Sequence, residues 1–252
     1  MDSKLIQAYS HWFTIISNLL LIIGIFSFIR LSKERRTDIH YCLPFLIVVF
    51  TVFYENLGAY TNYNFEFKKT VNAYLGNTEY PKFNLWLFNL TKRQIGVILY
   101  LVLIKSWLEP SERKYMTWMI YIFIAVTGVI QLSGIEPLYL NQPIIFTIGA
   151  NMILIGSGLY FIGLITVEQY LIRNPLRLLS FWQMTFIMFA FTLSYISSVA
   201  LLYLYQVNPV LGNTLQELGM AVQLFNLGVF TLTIASPLLP TIFEKEPSYE
   251  FS

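Results

Sequence analysis

The residues best placed to do chemistry in this chain are ionic groups set inside apolar sequence. The run Phe83-Asn84-Leu85-Trp86-Leu87-Phe88-Asn89-Leu90-Thr91-Lys92-Arg93-Gln94 carries two adjacent cations between apolar stretches. On a helix, Asn89, Lys92 and Arg93 stand at i, i+3 and i+4 and share one face, which Trp86 and Gly96 extend in either direction. Upstream, Thr51, Glu55 and Gly58 fall at i, i+4 and i+7, again one face. A charge in hydrocarbon costs several kcal/mol unless it is paired or hydrated, so Glu55 is expected to pair with Arg93 or Lys92. Such a pair would mark a polar pocket open to one side of the protein. Gln223 and Asn226, at i and i+3, are candidates to face the same group. The candidate ligand-binding cluster is therefore Glu55, Asn89, Lys92, Arg93, Gln223 and Asn226.

The elements that must position these residues follow from composition. The chain has 252 residues, 56% hydrophobic and only 12% charged, with mean hydropathy +0.59. A soluble domain carries about 25% charged residues to face water. Here the charges fall in short clusters separated by apolar intervals of roughly 20 residues, the length that crosses ~30 Å of hydrocarbon. Seven such spans are expected near 11–30, 41–60, 83–108, 116–134, 144–167, 180–205 and 217–238. Each must be a helix, because lipid offers no partner for unpaired backbone groups. The fold class is thus an all-α, seven-helix transmembrane bundle forming a single domain over 1–252.

Loop charges give the bundle a direction. The positive cluster Arg30, Lys33, Arg35, Arg36 follows the first apolar run, which reads as a retained span and not as a cleavable leader. Cytoplasmic segments would then hold Arg30, Lys33, Arg35, Arg36, Lys105, Arg113, Lys114, Arg173, Arg177 and Lys245, and external segments Lys4, Lys68, Lys69 and Lys82. Ten against four, alternating along the chain, predicts the N-terminus outside and the C-terminus inside a cell (inner) membrane. With a start near Phe83, Lys92 and Arg93 lie ~14 Å below the outer surface, and Glu55, counted from Tyr41, lies ~21 Å above the inner boundary. The alternative is a third helix beginning near Gln94, with Lys92 and Arg93 at headgroup level. The outer segment 61–82 is expected to form a small cap, and the tail after Pro237 is too short for a folded effector domain.

Composition and motifs exclude several classes. A net charge of +2 gives no nucleic-acid surface, and Cys42, the sole cysteine, allows no internal disulfide and reads as a small core residue. A retinal protein needs a lysine in its last span, and 217–243 has none. The triplet and last-span motifs of rhodopsin-like receptors are absent at Lys105-Ser106-Trp107 and Thr231-Leu232-Thr233. His11 and His40 are too few for a three-histidine zinc amidohydrolase, and no HExxH, Ser-His-Asp or phosphate loop occurs. No cofactor or metal site is expected. Asn18, Asn151 and Gln183 are expected to bond across helices. Trp12, Tyr60, Trp86, Trp107, Trp118 and Tyr205, near span ends, are expected as interfacial aromatics.

Two patterns bear on ancestry. Leu87-Phe88-Asn89-Leu90 recurs as Leu224-Phe225-Asn226-Leu227, and Asn18-Leu19-Leu20-Leu21-Ile22 resembles Asn151-Met152-Ile153-Leu154-Ile155, at offsets of 137 and 133. These suggest a parallel three-plus-one-plus-three repeat, of the kind that places transporter sites between repeats. Trp86-Leu87-Phe88-Asn89-Leu90, Asn174-Pro175-Leu176 before Phe181-Trp182, and the acidic Glu55 in the second span resemble uncharacterised seven-helix proteins of Bacteroidetes-type bacteria. The pair Lys92-Arg93 departs from the apolar continuation of that family, so the resemblance implies a topology and no activity. Three functions stay open: a receptor- or sensor-like bundle with an outward pocket and a separate signalling partner, a small-molecule transporter, and a structural subunit of a membrane complex. The lipid bilayer is the expected partner of all three.

Overall fold

A computed structural model describes residues 9–78, 84–239, 242–244 and 246–247, the side chains of 198–203 and 205 excepted. Lys4, Lys82, Lys245, Phe83 and the Tyr205 side chain, used in the sequence reading, lie outside the described residues. Seven helices are long and apolar enough to span a membrane: α1 (Trp12–Arg30), α2 (Ile39–Tyr63), α3 (Leu85–Trp107), α4 (Pro110–Leu132), α5 (Pro143–Thr166), α6 (Leu179–Val207) and α7 (Pro209–Ala235). Among the described residues there is no strand.

Local chemistry sets the boundaries. Pro110, Pro143 and Pro209 each occupy the first helical turn, where the missing N–H costs nothing. Asp38 accepts from the His40 N–H to open α2, and Asn208 accepts from the Leu211 N–H to open α7. These signals correct two of the expected spans. The fourth begins at Pro110 and not near 116, so Arg113 and Lys114 belong to its first turns. The seventh begins at Pro209 and not near 217, leaving Asn208 alone between α6 and α7 where a longer external loop was expected.

The lipid-facing surface is plain on α1, where Ile15, Leu19, Ile22, Phe26 and Ile29 are all exposed at helical spacing. Its opposite face buries Ser17, Gly24 and Ser27, small groups that let the neighbouring α2 and α7 approach. α3 is the most enclosed of the seven spans, packed on α2, α4 and α5, while α4 buries the smallest share of its residues. On α5, Gly149 faces Val97 and Phe123 so closely that a Cβ there would stand 2.9–3.0 Å from their side chains. Cys42 is half-buried in the first turns of α2 and is not a core residue.

The connections 1–2, 3–4 and 5–6 and residues 242–244 and 246–247 meet at one end of the bundle, here the basic end. The opposite, polar end gathers the α3 entry and the connections 2–3 and 4–5. There a short helix, Phe65–Tyr74, follows α2, and Gly76 (φ +88°) turns the chain beside Tyr139 of connection 4–5.

Candidate functional site

Asn84 to Gln94 form the polar-end half of α3, and the backbone there is not a plain α-helix. Leu85–Phe88 is α-helical, Asn89–Ile95 is a π-helical segment, and Gly96–Trp107 returns to α. Such i→i+5 turns are rare and recur at functional sites. The Gly96 N–H donates to the Thr91 carbonyl, and a Cβ on Gly96 would sit 2.8 Å from that oxygen. Glycine is therefore what allows the widened turn to close.

The widened turn sends the two cations apart. Lys92 reaches α2, with Nζ 3.3 Å from Glu55 Oε1 and 4.9 Å from the centre of the Tyr54 ring. The contact with the carboxylate is an ion pair. Arg93 turns to α5 and connection 4–5. Its Nη1 donates to Asn141 Oδ1 at 2.7 Å and to Asn89 Oδ1 at 3.4 Å, and its guanidinium lies 5.0 Å from Phe88 and 5.4 Å from Phe146. Two ring faces stabilise a desolvated guanidinium through their quadrupoles. Of the two pairings expected for Glu55, Lys92 takes it and Arg93 does not.

Arg93 belongs to a larger network. Asn89 Nδ2 donates to the carbonyls of Leu138 (2.8 Å) and Leu140 (2.5 Å). Gln94 Nε2 donates to Gln142 Oε1, and Gln142 Nε2 to the Glu136 carbonyl, both at 2.9 Å. Buried Glu136 accepts from the N–H groups of Ile144 and Ile145 at 2.6 and 2.9 Å, satisfying the first turn of α5. Gly134, at φ +76°, reverses the chain after α4 so that Glu136 reaches this position. Glu136, Asn141 and Gln142 were missed in the sequence reading. Their signal was present: an acid and two amides in a connection with no cation, next to a helix start at Pro143.

Asn226 and Gln223 do not join this group. Asn226 is buried and donates from Nδ2 to the Tyr100 hydroxyl at 3.1 Å, two helical turns below Arg93 on α3. Gln223 is half-buried and makes no polar contact with Glu55, Lys92 or Arg93. Deeper still, Gln183 joins α3 and α7, accepting from Trp107 Nε1 and donating to Thr233 Oγ1, each at 2.8 Å. Trp107 is thus a buried bridging residue and not an interfacial anchor; Trp12, Tyr60 and Trp118 are exposed. Asn18 pairs with Asn56 across α1 and α2 as expected, whereas Asn151 bonds back to Thr147 of its own helix.

Buried polar atoms without a hydrogen-bond partner are rare in proteins, and each calls for a reason. Four of them, Asn84 Oδ1, Trp86 Nε1, Lys92 Nζ and Arg93 Nε, fall within ten residues at the polar end of α3. A cavity lies elsewhere. A space of about 1010 Å³ opens at the basic end, lined among others by Arg35, His40, Lys105, Trp107, Arg113 and Glu246. Of the two places, the geometry of donors and acceptors at the polar end bears on the expected cluster, while the cavity has its own chemistry.

Fold and site together define a seven-helix membrane bundle with a polar cluster at one end and a basic vestibule at the other. Comparison of the chain with family models, with curated proteins and with solved structures returns no match.

Proposed function

We propose that this chain is a receptor- or sensor-like bundle of the cell (inner) membrane, with the polar end outside and the basic end in the cytoplasm. The observation that carries the reading is the set of four buried polar atoms that lack a hydrogen-bond partner beside the π-helical turn of α3, Lys92 Nζ among them being held by its ion pair with Glu55. Three are donors and one an acceptor, which suits a small ligand rich in carboxylate or carbonyl oxygens. The orientation rests on the described cations. Nine of them (Arg30, Lys33, Arg35, Arg36, Lys105, Arg113, Lys114, Arg173, Arg177) lie in the basic-end connections or in the helix ends beside them, against Lys68 and Lys69 at the polar end. Output would pass to a separate protein at the cytoplasmic connections. The test is thermal unfolding of the purified protein against a panel of amino acids, carboxylates and keto acids. A midpoint shift in wild type that is lost in Lys92→Met supports the site; shifts of equal size in both proteins would sink it.

Small-molecule transport is a second reading, favoured by a specific alignment. Polar side chains stand at three separate levels, Lys92 with Glu55, Tyr100 with Asn226, and Trp107 with Gln183 and Thr233, of which Trp107 and Thr233 line the vestibule. Tyr100 with Asn226 joins α3 to α7, the two helices that share the Leu-Phe-Asn-Leu repeat and that a three-plus-one-plus-three duplication would relate. Uptake of the same solutes into proteoliposomes, with and without an ion gradient, separates transport from sensing.

A further inference from the structure

We propose that the vestibule at the basic end is a binding site for a phosphate group. Three full positive charges reach it from separate parts of the chain: Arg35 from connection 1–2, Lys105 from the end of α3 and Arg113 from the start of α4. Arg35 and Lys105 enter no ion pair among the described residues, and Arg113 is held in place by its Nε on the Leu108 carbonyl at 2.9 Å. Three carboxylates line the same space, yet each is turned onto an internal donor. Asp38 takes His40 Nδ1 and the His40 N–H, both at 2.9 Å. Glu244 pairs with Arg177 at 3.4 Å. Glu246 takes the Ser180 N–H at 2.9 Å and the Ser180 hydroxyl at 2.7 Å, satisfying the first turn of α6. His40 meets an acceptor at each ring nitrogen, the second being the Ser106 carbonyl at 3.2 Å, so it offers the cavity none.

With Glu244 neutralised by Arg177, three cations line the space against two carboxylates, Asp38 and Glu246, whose oxygens are turned onto internal donors, so the balance of charge is positive by one. Two guanidinium forks and one ammonium, approaching from different directions, match the several oxygens of a phosphate better than the single plane of a carboxylate. At about 1010 Å³ the cavity holds far more than a phosphate, and Val102, Leu179 and Phe243 give the rest of a ligand an apolar wall. Basic pockets between transmembrane helices take phosphate from lipid headgroups as well as from soluble esters. The chemistry is shared, and the source is an outcome of the test.

Purified protein in neutral detergent is unfolded thermally with inorganic pyrophosphate against sodium chloride of equal ionic strength. A second arm adds phosphatidylglycerol against phosphatidylcholine. At least one phosphate-bearing additive is expected to raise the midpoint of the wild type. Removing each charge in Arg35→Gln and Lys105→Gln is expected to weaken that binding about tenfold, and Lys114→Gln, an exposed cation at the same end, to leave it unchanged. A response to pyrophosphate alone assigns a soluble ester, and a response to phosphatidylglycerol alone assigns a headgroup. No stabilisation in either arm, or equal responses in wild type and the Arg35 and Lys105 variants, overturns the site. Lys105→Arg, which keeps the charge, retains binding where Lys105→Gln loses it and so separates the role from a folding defect.

Discussion

At 3.3 Å from Glu55, the Lys92 ammonium is neutralised within the bundle, while Arg93 next to it is held by Asn141, Asn89 and two aromatic rings. Adjacent cations thus serve separate networks, and their energetics should be separable. Glu55→Gln leaves Lys92 without a counter-charge and is expected to cost about 2 kcal/mol, less than a fully buried pair because both side chains keep a fifth of their exposure. A double-mutant cycle between Glu55 and Lys92 is expected to give a coupling of about 1 kcal/mol, and one between Glu55 and Arg93 a coupling near zero. Equilibrium unfolding in bicelles measures both, and equal couplings would contradict the split. At the other end, burial pushes the Glu246 carboxyl up from 4.5, against the Ser180 hydrogen bonds that pull it down. With the folded value above the unfolded one, its contribution to stability is complete below about 4.5 and fades as pH rises through the folded value. Wild type is therefore expected to gain on Glu246→Gln as pH falls from 7 towards 5, in midpoints measured side by side.

On the scale of elements, the π-helical segment of α3 decides which partner each cation meets. Gly96→Ala would place a Cβ against the Thr91 carbonyl, so the segment has to tighten and one of the two networks has to break. The expected result is a loss of about 2 kcal/mol and of the Glu55–Lys92 coupling, read in the same unfolding experiments. Gly149→Leu, on the face of α5 against Val97 and Phe123, should cost about 1–3 kcal/mol through overpacking without touching that coupling. The elements themselves were legible in the sequence. Apolar intervals of membrane length can only be helices, and Glu55 was identifiable as the counter-charge because a lone acid in lipid needs one. The choice between Lys92 and Arg93 was not legible, since an α-helical wheel puts them on one face and only the i→i+5 turn separates them. Nor was the place of Asn226, because pairing it with Tyr100 depends on how far α7 is shifted along α3. The start of α7 at Pro209 was readable from the Asn208-Pro209 cap but was masked by the polar residues Gln216 and Glu217 inside the helix.

For the molecule as a whole, the two ends differ in kind. At the polar end side-chain networks fasten connection 4–5 to α3, whereas the basic end opens into a vestibule bordered by Phe243, Glu244, Glu246 and Pro247. A bundle with this asymmetry can read one compartment and answer in the other, provided that the ends face the sides assigned to them. Orientation is therefore the claim on which the functional account depends. It is tested most directly with single cysteines in a Cys42→Ala background, placed at exposed Lys69 on the polar end and exposed Lys114 on the basic end. An impermeant maleimide applied to intact cells should label the Lys69→Cys protein at once and the Lys114→Cys protein only after permeabilisation. Labelling of Lys114→Cys in intact cells, with Lys69→Cys protected, would contradict it.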